Sequence, residues 1–306
     1  MMRCVFTLSA LLMASIFADA QHTIVTSESA FGKHTLFEDS KSPRKTLKSA
    51  DGRTVEIEGE PGYSYSIIDE CRIQVKYKIF LAYTDTPEKG IEDDMLLQIG
   101  TNKTKYYSTL LHSFDSLMQA QASPDVHILL AHANPVYFHN ALYTDMVTGK
   151  TNFVCRFATE DFEYTEIPPT IDWTLSEETK DILGYTCTKA TGGFRGRTYE
   201  AWFTEEIPVS TGPWKLRGLP GTILSAKDSE GLCGFEAVSV KKGEGVIERP
   251  EYLYFRISRD KYYSMLKQFF NAPLRFTSMH MSRAPGIVIT PPAKETPLRS
   301  VVQLER

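Results

Sequence analysis

The stretch from Arg72 to Tyr83 alternates apolar and polar side chains, and no other part of the chain constrains the fold as strongly. Successive side chains of a β-strand point to opposite faces, so the pattern predicts a strand with one buried face and one solvated face. Such strands are typical of an antiparallel sheet that is open to solvent on one side. The apolar positions are Ile73, Val75, Tyr77, Ile79, Leu81 and Tyr83, and the polar positions include Arg72, Gln74, Lys76 and Lys78.

Shorter runs of β-branched and aromatic residues predict further strands, in a chain of 306 residues that is 11% aromatic. Glycine-containing turns separate many of these runs, for example at Gly192-Gly193, Gly196 and Gly231. We therefore interpret residues 182–257 as a β-meander. The further predicted strands are residues 95–99, 126–131, 152–157, 184–191, 198–204, 222–226, 235–240 and 252–257.

Two segments have the apolar spacing of a helix. In the first, Ser258 is a suitable N-cap and Asp260 favours the positive helix start. An apolar stripe follows, and Asn271-Ala272-Pro273 predicts the end of this helix. The second candidate is residues 109–120. These patterns together predict a mainly β protein with one or two helices: a curved antiparallel sheet, or half-barrel, packed on a helix, with meander connectivity. The stripe of the first helix is Tyr262, Leu266, Phe269 and Phe270.

The N-terminus has the layout of a secretory signal peptide. Met1-Met2-Arg3 is a short basic start, residues 4–18 are apolar and uncharged, and Ala18-Asp19-Ala20 is a cleavage pattern. We expect cleavage after Ala20 (residues 1–20 being the signal) and export to the periplasm, to the cell surface or out of the cell. Beyond the signal, we expect a loosely ordered segment at 21–53, one β domain at 54–281 and an extended tail at 282–306. No later run of about 18 apolar residues predicts a transmembrane span.

Four cysteines lie outside the signal peptide, and an even number in an exported chain predicts two disulfides. The sequence does not choose among the three connectivities, and buried free thiols are the alternative. The absence of a Cys-x-x-Cys pair argues against a zinc cluster or a thioredoxin-type redox site. The four candidates are Cys71, Cys155, Cys187 and Cys233.

Charge and motif content exclude several classes of function. The formal net charge is −4 and the basic residues are scattered, so we expect no nucleic-acid partner. The spacing of His127, His132 and His139 does not match a helical zinc site, so we expect no metal and no cofactor. No Gly-x-Ser-x-Gly elbow is present, and we interpret Asp93-Asp94 and Glu177-Glu178 as solvated loop charges. The sequence therefore predicts no catalytic residue.

Residues 212–221, here called the central loop, read Gly-Pro-Trp-Lys-Leu-Arg-Gly-Leu-Pro-Gly and lie between two apolar runs. Pro220 fixes its own φ, and a positive φ at Gly221 would complete a type II turn over residues 219–222. The Lys-Ser/Thr pair of a phosphate-binding loop is absent. We therefore expect Gly218, Leu219, Pro220 and Gly221 to form a structural turn.

Several ordered motifs resemble one family. They include Gly196 to Thr204, Gly212-Pro213-Trp214 and Gly218-Leu219-Pro220-Gly221, within a resemblance that spans about 72–257. The sequence is similar to the GLPGLI (Porph_ging) family of exported Bacteroidetes proteins, although Thr222 stands where the family name has Leu. The resemblance implies an exported protein of undefined function, with an outer-membrane TonB-dependent transporter as a candidate partner. It implies no catalytic residue.

Charged and tryptophan residues are concentrated around one predicted hairpin. Cross-strand ion pairs and ordinary core packing would explain them. An aromatic-lined groove that binds a lipid, a peptide or a glycan is the alternative. The candidate ligand-binding residues are Trp173, Lys189, Arg197, Glu200, Trp202 and Trp214, and Asp172 and Arg195 belong to the same charged set.

These observations leave three hypotheses for function. The first is a non-catalytic exported protein of the GLPGLI type that binds a lipid, a peptide, a glycan or an envelope partner. This hypothesis makes an enzyme the less favoured interpretation. The alternative is an envelope hydrolase whose site is not recognisable from sequence. The third is an accessory protein that docks on a transporter through the edges of its sheet.

Overall fold

The computed structural model describes residues 45–48, 54–57, 65–109, 140–157, 160–251, 254–281, 293–294, 297–298 and 300–305. The first half of the strands is β1 Lys45–Lys48, β2 Thr54–Ile57, β3 Tyr65–Glu70, β4 Ile73–Ala82, β5 Gly90–Ile99, β6 Lys103–Ser108, β7 Asn140–Asp145 and β8 Thr151–Phe157. The second half is β9 Glu160–Glu166, β10 Trp173–Ile182, β11 Tyr185–Phe194, β12 Arg197–Thr204, β13 Thr222–Asp228, β14 Cys233–Lys242, β15 Val246–Pro250 and β16 Phe255–Arg256. Two helices follow, α1 Arg259–Asn271 and α2 Pro273–Met281.

Twelve strands form one open sheet, in the order β10-β11-β12-β13-β14-β4-β5-β6-β7-β8-β9-β16. The order contains two meanders, β4–β9 and β10–β14, which lie side by side because β14 pairs antiparallel with β4. The short β16 adds in parallel to β9 at the edge. The predicted fold class is confirmed: the protein is mostly β, and its large antiparallel sheet is not closed into a barrel.

The alternation in β4 separates the two faces as predicted. Val75, Tyr77 and Ile79 are buried, whereas Lys78 points to solvent. The buried side chains of β4 lie on the face that we call the inner face, which carries the main core of the protein. The opposite, outer face is solvated along much of β10–β12.

Helix α1 covers part of the inner face. The Ser258 hydroxyl accepts a hydrogen bond from Lys261 N at 3.1 Å, which caps the helix as its sequence predicts. The helix packs its aromatic stripe on the sheet, with the Tyr262 ring 4.8 Å from the Phe153 ring. Helix α1 ends at Asn271 as predicted, because the backbone of Ala272 is not helical (φ −149°, ψ 72°). A second helix, α2, starts at Pro273, since proline fits the first turn of a helix, where no N–H is needed. No described helix is long and apolar enough to cross a membrane.

Several predicted segments lie outside the described residues: the signal peptide, the helix at 109–120 apart from its first residue, the strand at 126–131 and the three histidines. Export, its signal peptide and the domain boundaries therefore stay predictions. Strand β1, which falls in the segment expected to be loosely ordered, pairs antiparallel with β2. Within the strand predicted at 252–257, the structure has the two-residue strand β16, Phe255–Arg256.

Residues 300–305 run in an extended conformation and dock firmly on the sheet. Val302 N donates to Ala82 O at 2.8 Å, and Thr84 N donates to Ser300 O at 3.0 Å. Val301, Val302 and Leu304 are buried. This segment of the tail is therefore part of the core, a role that its composition did not indicate.

The prediction of two disulfides is wrong, because all four cysteines are free and buried. Cys187 lies on β11, Cys233 at the start of β14 and Cys155 on β8, and none of these strands are neighbours in the sheet. Cys71 precedes β4, whereas Cys233 is opposite Leu81 near the far end of that strand. A disulfide needs Cα atoms within about 7 Å, and strands are spaced about 4.8 Å apart, so this arrangement keeps the cysteines separate.

Burial determines the chemistry of these thiols. It raises the pKa of Cys187 and Cys233 to about 11, and it also raises the pKa of Cys71 and Cys155. A thiol is nucleophilic as the thiolate, so these groups stay protonated and unreactive at neutral pH.

Candidate functional site

The turn in the central loop differs from the predicted type II turn. The positive φ is at Gly218 (102°) and not at Gly221. A Cβ on Gly221 would lie 2.0 Å from Thr204 O, so this position requires glycine because two backbones approach closely. Leu219 is buried, whereas Pro220 is exposed. The structure has a bend at residues 219–221 in place of the predicted type II turn.

Trp173 holds the central loop from the side of β10. Its indole Nε1 donates to Arg217 O at 2.9 Å. The ring packs against Gly192, where a Cβ would come within 2.7 Å of it. Trp173 is therefore a positioning residue for the loop and only half-exposed to solvent.

The loop turns inward at Trp214, which has a φ of 58°. Such a value is unusual for a residue with a side chain and persists only where the surroundings enforce it. The Trp214 ring packs edge-on against Phe153 at 5.8 Å, and its Nε1 donates to Glu305 Oε1 at 3.2 Å. This turn directs the next residue, Lys215, into the interior.

Lys215 lies at the centre of a group that we call the buried charge cluster. Its Nζ is 2.5 Å from Glu305 Oε1 and 2.6 Å from Glu166 Oε1, and it donates to Tyr164 Oη at 3.0 Å. The side chains of Lys215 and Glu305 are fully buried. The members of the cluster are Glu166, Arg195, Lys215, Arg259 and Glu305.

Two arginines complete the cluster around Glu305. Arg259 donates to Glu305 Oε2 from Nε at 2.9 Å and from Nη2 at 2.5 Å. Arg195 donates to the same oxygen at 2.8 Å and to Glu166 Oε2 at 2.6 Å. The Glu305 carboxylate therefore accepts hydrogen bonds from four side chains, which lie on the β11–β12 turn, in the central loop and on α1.

The electrostatics of the cluster hold Glu305 in its ionised form. Burial alone would raise the pKa of Glu305, but the charge of Lys215 and the hydrogen bonds from Lys215 and Arg259 lower it below its usual value. A general acid or base works best with a pKa near the working pH. The cluster therefore fixes charges and geometry, and Glu305 is not suited to proton transfer at neutral pH.

A different carboxyl on the inner face has the opposite shift. Asp93, on β5, accepts hydrogen bonds from Ser108 Oγ and from Asp94 N, both at 2.7 Å. Burial raises the pKa of Asp93 in spite of these hydrogen bonds. Asp94 lies on the outer face, 2.5 Å from Lys76 Nζ. The interpretation of this pair as solvated loop charges is therefore wrong for Asp93, which lies in a strand and is half-buried.

Two small cavities adjoin each other on the inner face. The larger, about 40 Å³, lies between strands β4–β7 and α1, and the smaller, about 20 Å³, lies under the central loop beside Arg217. Tyr106 and Trp214 line both cavities. In the larger cavity, the buried Tyr106 Oη and Asn140 Oδ1 have no hydrogen-bond partner within the described part of the chain. A cavity of this size has room for one or two water molecules.

Asp93 does not line the larger cavity itself, but it lies opposite Ile79, which does. Its charge contributes to the raised pKa of Tyr106, although burial is the main cause of that shift. A carboxyl with a raised pKa next to buried polar atoms and a cavity is an arrangement common at catalytic sites. The pattern of β5 contained this signal, because Asp93 has the same alternation phase as the buried Ile91 and Met95.

The predicted ligand-binding residues fall into separate places. Lys189 lies on the outer face, 3.0 Å from Glu178 Oε1 and 3.3 Å from Glu200 Oε2. Trp202 is 9% exposed, because Lys180 lies over its ring at 4.3 Å. The cross-strand ion pairs are therefore present, and Trp202 does not offer an open aromatic surface.

Arg197 points to the inner face, away from Lys189 and Glu200. It donates to Asp228 Oδ2 at 2.5 Å and to Gln303 O at 2.8 Å, and it anchors the docked tail. The six candidates thus do not line one groove, and their role in ligand binding stays a prediction.

The sequence analysis did not identify five residues of the central loop and the buried charge cluster: Glu166, Lys215, Arg217, Arg259 and Glu305. In the described ranges, no group of three or more His, Cys, Asp or Glu side chains is arranged to hold a metal ion.

Comparison with known proteins found a family model that matches part of the chain. Residues 158–252, less than half of the chain, match the family described as "N-glycanase peptide, N-terminal domain". No curated protein matches the chain. The similar solved structures include PNGF-II in two crystal forms, each 16% identical over 65% of this chain, with TM-scores of 0.48 and 0.46. The chain covers 34% and 33% of the length of those two structures.

A LolA superfamily protein from Nitrosomonas europaea is also similar, at 8% identity and a TM-score of 0.24, over 57% of this chain and 87% of that protein.

The family match corrects the interpretation of the sequence motifs. The resemblance to the GLPGLI family is wrong, since residues 158–252, which contain those motifs, match the N-glycanase domain. Glycines at turns and at close backbone contacts recur in unrelated β proteins, so such motifs identify a family poorly. The hypothesis of a non-catalytic GLPGLI-type protein is overturned with it, and the hydrolase alternative is the better supported one. A transporter or envelope partner stays a prediction.

Proposed function

We propose that this protein is a glycan-processing hydrolase that cleaves the bond between an N-linked glycan and its peptide. The observation that carries the proposal is the match of residues 158–252 to the N-terminal domain of an N-glycanase family. The matched segment contains the central loop and three members of the buried charge cluster, Glu166, Arg195 and Lys215. The chain corresponds to about a third of the length of PNGF-II, so the activity of that whole protein does not transfer by length alone.

Asp93 is the proposed proton-transfer group. Hydrolysis needs a base that takes a proton from the attacking water and a route that returns a proton to the leaving nitrogen. The raised pKa of Asp93 moves its titration toward neutral pH, where a carboxyl can do both. Its hydrogen bond from Ser108 fixes the orientation of the carboxyl group.

The larger cavity is the proposed location of the reacting water. Tyr106 Oη and Asn140 Oδ1 are buried polar atoms, and a water molecule between them would satisfy both. The cavity is too small for a sugar, so the glycan would lie outside it with only the reacting bond near Asp93. The buried charge cluster fixes the central loop beside this point.

The test is release of glycan from N-glycopeptides by the purified protein, followed by mass spectrometry. We expect the wild type to release glycan and Asp93→Asn to be slower by about 10²- to 10⁴-fold, because a positioned acid–base group contributes that much. Asp94→Asn is the matched control, since it removes the neighbouring carboxylate on the outer face and should retain the wild-type rate. No release by the wild type from a panel of glycopeptides, or an unchanged rate in Asp93→Asn, would refute the proposal.

A further inference from the structure

Arg217 in the central loop is a half-buried cation whose guanidinium makes no hydrogen bond or ion pair with the described residues. Its position is fixed, because its backbone oxygen accepts from Trp173 and its guanidinium packs against Gly149, where a Cβ would lie 3.0 Å from Nη2. Burial lowers the pKa of Arg217, and the charge of Glu166 opposes this shift. A charge removed from water without a direct partner is costly, so the arrangement favours an anionic ligand.

A row of threonines faces the same cavity as Arg217. Thr104 on β6 is opposite Thr144 on β7, which is opposite Thr151 on β8. The Thr144 and Thr151 hydroxyl oxygens are 3.1 Å apart, and all three threonines line the cavity of about 20 Å³. A hydroxyl can donate to an anion, and in the Thr144–Thr151 pair the hydroxyl that accepts keeps its own proton for such a bond.

The surroundings of the cavity carry excess positive charge. Lys215 also lines it, and the buried charge cluster next to it contains three cations and two carboxylates. With Arg217 included, four cations face Glu166 and Glu305. Such an excess attracts anions, and guanidinium groups bind oxyanions in a defined geometry.

We propose that the Arg217 cavity binds the oxyanion group of an acidic sugar. A cavity of about 20 Å³ admits one oxygen-sized group, so one oxygen of a carboxylate or sulfate would enter while the sugar ring stays outside. Because Tyr106 and Trp214 line both cavities, an oxyanion held here would bring its sugar close to the larger cavity, the proposed location of the reacting water. The sugar part of the inference rests on the proposed function, whereas the binding of an oxyanion does not.

Isothermal titration calorimetry at constant ionic strength tests the inference without any turnover. The probes are sodium glucuronate, inorganic sulfate and the neutral sugar glucose. We expect saturable binding of glucuronate by the wild type and no binding of glucose. Binding of sulfate as tight as that of glucuronate would assign the site to the oxyanion alone and overturn the sugar part of the inference.

The variant Arg217→Met keeps the apolar stem and should bind glucuronate about tenfold or more weakly, because hydrogen bonds to charged groups are among the stronger ones. Arg217→Lys keeps the charge and should retain much of the binding, which shows that a loss in Arg217→Met is not a folding defect. Arg256→Met, at an exposed arginine on β16, is the matched control and should bind like the wild type.

Equal binding of glucuronate by the wild type and Arg217→Met would overturn the inference, as would the absence of saturable binding. Neither result would bear on whether the protein releases neutral glycans with Asp93 as the proton-transfer group. Failure of the proposed oxyanion binding and failure of the proposed hydrolase are therefore distinguishable.

Discussion

The two charge clusters of this protein use the same residue types in opposite surroundings. On the outer face, the side chains of Lys189 and Glu178 are 22% and 61% exposed, whereas those of Lys215 and Glu305 in the buried charge cluster are fully buried. Water competes for an exposed pair and weakens it. Water cannot reach a buried pair, so the loss of one partner leaves a charge that nothing solvates or compensates. The outer pairs can therefore vary freely, and the inner cluster must stay complete.

The clusters also differ in how the chain assembles them. The outer pairs come from β10, β11 and β12, which follow one another in sequence and in the sheet. The inner cluster joins β9, the β11–β12 turn, the central loop, α1 and the segment 300–305. The inner cluster thus links distant parts of the fold, whereas the outer pairs add to contacts that the hairpins already make.

The largest expected effect is that of Lys215→Met. The substitution keeps an apolar side chain of similar length but leaves Glu166 and Glu305 without the ammonium between them. We expect a loss of about 3–5 kcal/mol in the free energy of unfolding, as is typical when one partner of a buried ion pair is removed. Urea denaturation at pH 7 measures this change. A loss below about 1 kcal/mol, the usual value for exposed pairs, would contradict the distinction between the clusters.

A smaller effect is expected for Glu305→Gln, which keeps the shape and removes the charge. We expect a loss of about 2–3 kcal/mol at neutral pH, because Lys215, Arg195 and Arg259 lose the charge of the carboxylate and the amide nitrogen of Gln cannot accept their hydrogen bonds. The pKa of Glu305 is lower in the folded protein than the value of about 4.3 for an unfolded chain. Its ionised form therefore contributes stability above that pH, and this contribution is lost as the pH falls through the folded pKa.

The difference in stability between the wild type and Glu305→Gln should accordingly narrow as the pH is lowered below about 4. Urea denaturation at pH 7, 5, 4 and 3 measures it. A difference that stays constant across this range would show that the Glu305 charge is not what stabilises the cluster.

The smallest effect is expected for Lys189→Met on the outer face. This substitution makes the same chemical change as Lys215→Met, but its partners Glu178 and Glu200 regain water. We expect a denaturation midpoint within error of that of the wild type. A loss comparable to that of Lys215→Met would remove the contrast between the two faces.

Local patterns predicted much of the sheet. The alternation in β4, the cap at Ser258 and the ion pairs of Lys189 all depend on residues close in sequence or on neighbouring strands of a hairpin. The same alternation, applied to β5, would have distinguished Asp93 from Asp94. The interpretation of both as loop charges missed this because β5 was predicted to begin at residue 95 and the structure starts it at Gly90.

The buried charge cluster could not be predicted in this way. Glu305 lies in a segment that has no periodic pattern and follows a proline-rich stretch, and its partners are up to 110 positions away. Only the three-dimensional path of the chain brings them together. The disulfide prediction failed for a related reason, because cysteine counting does not reveal which strands are neighbours.

The pairing of β14 with β4 has a consequence for how the protein reaches its native state. Each meander is made of consecutive strands, and the longest connection within either, residues 109–139 between β6 and β7, is far shorter than the stretch of chain between β4 and β14. The seam between them joins residues such as Phe235 and Ile79, so forming it requires a far larger loop to close. We therefore expect the pairing of β14 with β4 to be the rate-limiting step of folding, after each meander has formed its own strand pairs.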